Sequence, residues 1–582
     1  MRHLWLVVGV VLAGCVQGIA QEISPLNPAF TAWLESGKSG GEADGRFGWI
    51  PSPVDLSHLQ RGGGIAKDGI PASFDWRTLG GMTGVKNQGI CGACWSFAAC
   101  AVLEGWLKVH TSATWDFSEN HMKNHHGFVW GSCAGGNNQI AAAYLGRGAG
   151  PWLEADDPYT PWTVTEPVNP DGGARFYAQF MPLYSVAPGG DRSLVQQAIM
   201  DYGPLSATMI WNDNSYNSTT KTYYYSGNGT GSEDYGHMVT LVGWDDAKVV
   251  PGAPGPGAWI CKNSWGTSWG ESGYFYLSYH TSRSLEEVAG FFDLVPASTI
   301  GRIYQYDPLG LLGNAGDGNT TGWCANQFTA VENETLTAVA TYAVDQNLSA
   351  QITVYSGGYS GGGFSNPVAT VSGVFEEAGF FVIPLPQPVP LTAGQPFVVA
   401  IRFQSASMIN PCPIEQPISG YANATAGPGQ SFISSDGVSW TDISTLGGNW
   451  GSINFNIKAI TSAPEPPQPV VRIAGTHRAE EGQPIQLSVS VENLSGTLTY
   501  QWYRNDVAIP DAVEASLTIP AALPEHAGIY KVSVDDGQKT VYWSDPFVVT
   551  VLASGSLPAG GGAMLVLLVA AATIMGARRL RQ

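Results

Sequence analysis

The chain has 582 residues, a formal net charge of −20, 44% hydrophobic and 13% charged residues. That length exceeds what one core supports and implies about three folded units, and the apolar content excludes a disordered polyelectrolyte. Lys and Arg form no cluster in the folded region, which excludes a phosphate-binding surface and with it a nucleic-acid partner.

In chain order, residues 1–20 read as a signal peptide: the charged start Met1-Arg2-His3, then a short apolar run to Val16. Two exits compete, a cut after Ala20 and a lipobox-like Leu12-Ala13-Gly14-Cys15 that would lipidate Cys15. Residues 21–70 are rich in Gly, Ser and Pro with little periodicity and read as a leader or linker. From 71 to 295 the pattern mixes helix and strand. A helix over 93–107 is apolar nearly all round and should be buried. A short amphipathic helix is expected over 194–202. Strands are expected at LSATMIW from Leu205, at 237–244, at 258–262 and at 274–279.

From 299 to 462, alternating strands such as QITVYSG and QPFVVAIRFQ are broken by Gly, Pro and Asn turns, an all-β sandwich pattern. Residues 463–469 are a stiff Pro-rich linker. A second β unit runs over 470–552. Trp502 and Tyr530 stand where an immunoglobulin-like sandwich keeps its core Trp and corner Tyr, with Val489 and Val532 in place of a disulfide. The tail, 556–582, holds LPAGG, an apolar run and Arg578, Arg579 and Arg581. About 19 residues at 1.5 Å each span roughly 28 Å, enough for a bilayer-crossing or sorting helix with its basic end inside. The expected location is extracytoplasmic, tethered to the cell envelope.

The chemistry concentrates in KNQGICGACWSF from Lys86. Cys94 would open a helix, where the N-terminus favours a thiolate. Far downstream lie His237, opening a strand in GHMVTLVGW, and Asn263, closing one in WICKNSWG. A thiol, an imidazole and an amide from distant segments make a nucleophilic acyl-transfer site.

These segments, with SFDWR from Ser73, FSENHM from Phe117, SCAGGN from Ser132, GPLSATM from Gly203 and KNSWGTSWGESGYFYLS from Lys262, resemble a papain-like cysteine peptidase over residues 71–290. The resemblance implies a two-lobed α+β fold in which Cys94 is the nucleophile and His237 its ion-pair partner and general acid. Asn263 would orient His237, Gln88 would donate to the oxyanion, and Trp265 would shield the Asn–His contact. By position, Gly135 and Gly136 would pair with the substrate backbone. Thr208, Tyr235 and Met238 would wall the pocket for an apolar side chain at the second residue before the scissile bond. Their competing reading is core packing.

The same resemblance implies a Cys91–Cys133 disulfide, leaving Cys94 free. Cys324 and Cys412 would bridge within the middle sandwich, and Cys100 and Cys261 are buried thiols or a third bridge. Gly236 stands where many relatives carry Asp or Asn, and the family's long helical propeptide is missing from the 50 or so residues before Pro71. The 299–462 sandwich resembles the lectin-like domain of microbial papain-like peptidases, which suggests a carbohydrate or cell-surface ligand, a spacer being the alternative.

Other readings compete. CGAC as a redox dithiol conflicts with Trp95 following the second cysteine. His121, His125 and His126 lack a carboxylate partner and read as core or surface. No metal or cofactor is expected. The leading expectation is an exported endopeptidase acting on peptide or protein substrates. A surface adhesin with a silent peptidase scaffold and a transpeptidase using the same thioester are the alternatives.

Overall fold

The computed structural model describes residues 21–36, 45–61 and 69–552, apart from 130, 163, 165, 464–468, 495 and 538–540. The expected signal peptide, Cys15 and the C-terminal helix lie outside the described residues. Among the described residues no helix is long and apolar enough to cross a membrane.

Two compact units divide at residue 464. In the first, the expected elements form close to their expected bounds. Helix α1 (Pro28–Ser36) lies in the leader, followed by α2 (Cys94–Thr111), α3 (Glu119–Asn124), α4 (Asn138–Gly146) and α5 (Ser193–Asp201). Helix α2 is buried along its whole length from Cys94 to Leu107, as its uniformly apolar surface requires. It stops at Ser112, which takes a left-handed φ of 58° and returns its N–H to the Lys108 carbonyl, with Lys108 and His110 in the last turn.

Helix α2 packs on the long strand Tyr235–Asp245, which pairs with Leu205–Trp211 on one side and Ala258–Lys262 on the other. Thr208 stands opposite Met238 and Met209 opposite His237. The sheet does not end with the peptidase-like segment. Phe176–Tyr184 pairs with Ala378–Leu391 of the next segment, Ala378 opposite Leu183 and Phe381 opposite Phe180. One 14-stranded sheet therefore runs through both, and the boundary expected at 295–299 is a boundary in sequence only. A separate six-stranded sheet, centred on Pro396–Gln404, closes the sandwich over Cys324, Ile401, Phe403 and Ile433.

Residues 21–36 and 45–61, read above as a leader or linker, are tied into the fold. Glu22–Ile23 pairs with Gly313–Gly316 of the sandwich. Phe30 of α1 is fully buried, its ring edge-on to Tyr421 at 4.8 Å. His58 Nε2 lies 2.9 Å from the Val344 carbonyl. The sequence signal was weak because these contacts come from scattered single side chains, with no helical or strand period behind them.

The second unit places Val470–Gly475, Ile485–Glu492 and Ser516–Ile519 in one sheet. The other sheet is built around Gly528–Asp535 and Thr499–Arg504. Trp502 and Tyr530 are fully buried at its centre, and the Tyr530 hydroxyl donates to the His526 carbonyl at 2.8 Å. Phe30→Ala should lower the stability of the full chain by about 3 kcal/mol, the usual cost of an emptied aromatic site, read as a fall in melting temperature. A leader that merely trails from the fold would leave the melt unchanged.

Candidate active site

Cys94 is the first residue of α2 and His237 is the third residue of the strand Tyr235–Asp245, so helix and sheet present them across one cleft. His237 Nε2 meets Asn263 Oδ1 at 2.9 Å, and the same oxygen accepts from Ser264 N at 2.8 Å. Trp265 stacks on the His237 ring with centroids 4.9 Å apart. His237 Nδ1 is buried without a hydrogen-bond partner, the one ring atom left for the thiol. Gln88 is held by its own backbone N–H on the Ser264 carbonyl at 2.8 Å and by the Ser264 hydroxyl, which donates to Gln88 Oε1 at 2.5 Å. Its amide Nε2 donates to the Cys91 carbonyl at 2.9 Å.

Cys91 and Cys133 form a disulfide, tying the loop before α2 to the loop that carries Gly135 and Gly136. A Cβ on Gly136 would sit 2.6 Å from the Trp95 indole, so only glycine lets that backbone reach the cleft. The Cys324–Cys412 bridge is a correction. Both are buried free thiols, close enough to interact but not joined by a disulfide. Cys100 and Cys261 are likewise free and buried. His121 is a core side chain, stacked on Trp152 at 4.1 Å with its Nδ1 2.6 Å from the Tyr144 hydroxyl.

The cleft is filled by the leader. Gly48 N and Trp49 N both donate to the Gly236 carbonyl at 3.0 Å. Ile50 N donates to the Gly136 carbonyl at 2.9 Å, and Gly136 N to the Gly48 carbonyl at 2.8 Å. The leader thus runs parallel to the Gly136 segment. Gln88 Nε2 also donates to the Arg46 carbonyl at 3.2 Å, so the expected oxyanion donor already holds a peptide carbonyl. Phe47 stacks on Tyr235 at 4.8 Å. The sequence did not show this occupant, because glycine-rich backbone pairing has no side-chain pattern.

Burial under the leader sets the electrostatics. Cys94 is fully covered, and desolvation pushes its thiol up to about 12 against backbone donors that include Gly48. Desolvation lowers His237 to about 4, opposed by its bond to Asn263. Both shifts disfavour the charged form of each group while the leader covers it.

Of the expected pocket residues, Tyr235 flanks the leader, whereas Thr208 and Met238 are buried. Met238 faces a small cavity of about 20 Å³ behind Asn263, shared with Lys86, Glu104, Glu119 and Lys262. There Lys86 Nζ contacts Glu104 at 2.8 Å, Glu119 at 2.8 Å and Asp116 at 2.6 Å. Thr83 donates to Glu104 at 2.6 Å and accepts from Lys262 at 3.2 Å. This cluster was missed in the sequence. Glu104 sits in an otherwise apolar helix, and that anomaly was the available signal.

Residues 70–289 match the papain family cysteine protease and residues 303–461 the lectin-like domain. A cathepsin L-like peptidase of Aedes aegypti is 31% identical over 36% of this chain and 59% of its own length. Cathepsin K of Mus musculus is 31% identical over 36% of this chain and 60% of its own. The chain thus spans about three-fifths of these relatives. The solved cysteine protease and lectin-like domains of Cwp84, a surface layer associated protein of Clostridium difficile, share the fold. The TM-score is 0.65 at 23% identity, over 76% of this chain and 98% of that one.

Glu104→Ala would strand the Lys86 ammonium beside a vacated site and should cost about 3 kcal/mol, measured as a lowered denaturation midpoint of the full chain. An unchanged midpoint would mean that Glu119 and Asp116 suffice.

Proposed function

We propose that the chain is a cysteine endopeptidase held latent by its own leader. Cys94 attacks the peptide carbonyl, and the Gln88 amide with the Cys94 backbone N–H receives the oxyanion. His237 protonates the leaving amine, and Asn263 holds the imidazole plane. Water then hydrolyses the thioester. The observation that carries the reading is the leader itself: a peptide lies in the cleft, bound through its backbone to Gly136 and Gly236, with a carbonyl on Gln88. The leader runs parallel to the Gly136 segment, and its Gly48 backbone N–H is among the groups that bear on the thiol.

The endopeptidase reading fits an open cleft once the leader has gone. Substrates would be proteins outside the cytoplasm, as the surface location of the Cwp84 neighbour suggests. The lectin-like domain would contact carbohydrate or another surface ligand, and the unit over 470–552 would be an immunoglobulin-like spacer.

Leader removal should restore solvent to the pair, lower the thiol pKa and raise that of the imidazole. Labelling the full chain with an epoxide peptide inhibitor, before and after limited proteolysis within the leader, checks this. Before cleavage no adduct is expected at pH 6–8. After cleavage a single adduct on Cys94 should form at pH 6, absent in Cys94→Ala. Labelling that is fast before cleavage would overturn latency, and none after it would overturn the peptidase reading. In the cleaved enzyme, Gln88→Ala should lower kcat/KM by about 100-fold or more, read with a fluorogenic peptide.

A further inference from the structure

A cavity of about 300 Å³ opens between α5 and the turn that joins the strand Pro367–Phe375 to Ala378–Leu391. No described leader residue lines it. Its floor follows from the strand pairing already described. Phe180 and Phe381 are cross-strand partners with ring centroids 5.1 Å apart. Tyr202 meets Phe180 edge-on at 5.3 Å, and Phe375 lies 4.7 Å from Phe381. All four rings line the cavity and are only half buried. Helix α5 supplies the facing wall, where Ser193, Gln197 and Asp201 share one helix face through their spacing. The Ser193 hydroxyl is buried without a hydrogen-bond partner, a polar atom that the protein itself leaves unsatisfied.

The rim is acidic. Asp201, Glu376 and Glu377 line it, and among the described residues no lysine, arginine or histidine does. Asp201 accepts from the Gln197 amide at 2.6 Å and Glu377 from the Tyr184 hydroxyl at 3.0 Å, both neutral donors. A carboxylate has lone pairs beyond one such bond. The carboxylates converge on Tyr202: burial first, then Glu377, Asp201, Asp293 and Glu376, push its phenol up to about 12. Of these four, Asp293 has His110 bearing on it from the other side.

Half-buried rings under an acidic rim suit one ligand chemistry. A ring attracts a cation through its quadrupole, most strongly where water is excluded, and the carboxylates add Coulomb attraction. The rim repels an anion, and a neutral group of the same shape gains burial alone. The volume is at the low end for small-molecule sites and suits a head group.

We propose that this cavity binds the head group of a small alkylammonium ion, held by the rings of Phe180, Tyr202, Phe375 and Phe381 and by the carboxylates at its rim. Helix α5 belongs to the papain-like segment and Phe375 to the lectin-like one, so the bound ion bridges the two. The site uses neither Cys94 nor the leader and stands apart from the peptidase reading.

The test titrates the full chain, by calorimetry at constant ionic strength, with choline, with cadaverine and with neohexyl alcohol, the uncharged carbon isostere of choline. At least one of the two ammonium ions should bind at a single saturable site. The alcohol should bind about 10-fold or more weakly than that ion, the loss of one desolvated cation–π contact. Phe375→Leu, which keeps an apolar side chain but removes a ring, should weaken the ion by about 10-fold as well. Glu376→Gln, at the exposed rim, should weaken it about threefold, and by less as salt rises. Equal binding of the alcohol overturns the proposal, because the cavity then reads shape alone. Saturable binding of neither ammonium ion overturns it, and so does binding that folded Phe375→Leu and Glu376→Gln leave unchanged. The contrast between ion and alcohol decides the matter in the wild-type chain even if a variant folds poorly.

Discussion

Four backbone hydrogen bonds between residues 48–50 and the carbonyls and amide of Gly136 and Gly236 govern the rest of the catalytic centre. They are made by peptide groups alone, so they depend little on the side chains of the chain that makes them. Because they bring a chain down onto Cys94 and His237, they also remove water from both. Covering the pair disfavours each charged form, so thiolate and imidazolium lose their stability together. In the proposed reading, steric blockage and chemical silence come from one contact.

That contact is anchored at a distance. The leader reaches the cleft only after pairing with Gly313–Gly316 and burying Phe30 against Tyr421, both in the lectin-like segment. Its grip is therefore shared between two sequence segments. Behind the cleft, the Lys86 cluster does the opposite kind of work. It ties the start of the catalytic loop to α2 and α3 through buried charges, and it stays when the leader leaves.

Much of this was legible in the sequence. The apolar circumference of α2 announced burial, and the papain-like motifs pointed to Gln88, Cys94, His237 and Asn263, of which His237 and Asn263 are hydrogen-bonded and Gln88 is tied to Ser264. Gly136 pairs with the leader backbone, as a residue that permits close approach. What escaped has a common cause: interactions without a period. The leader binds by main chain and isolated aromatics, and Glu104 is a single polar interruption in an apolar helix. Cys324 and Cys412 show the converse. Proximity was foreseen, yet two buried thiols in a well-filled core can touch without bonding.

The sheet shared by the two segments has a consequence for how the molecule can be divided. Phe176–Tyr184 has a hydrogen-bonded neighbour on the lectin-like side only because Ala378–Leu391 is there. A fragment ending near residue 295 would leave that side as an open edge, with Phe180 and Met181 beside unpaired peptide groups, which is the arrangement that recruits further strands and aggregates. The segment that sequence comparison isolates so cleanly is thus not closed at this strand. A piece that keeps Phe176–Tyr184 paired on both sides must extend through Ala378–Leu391.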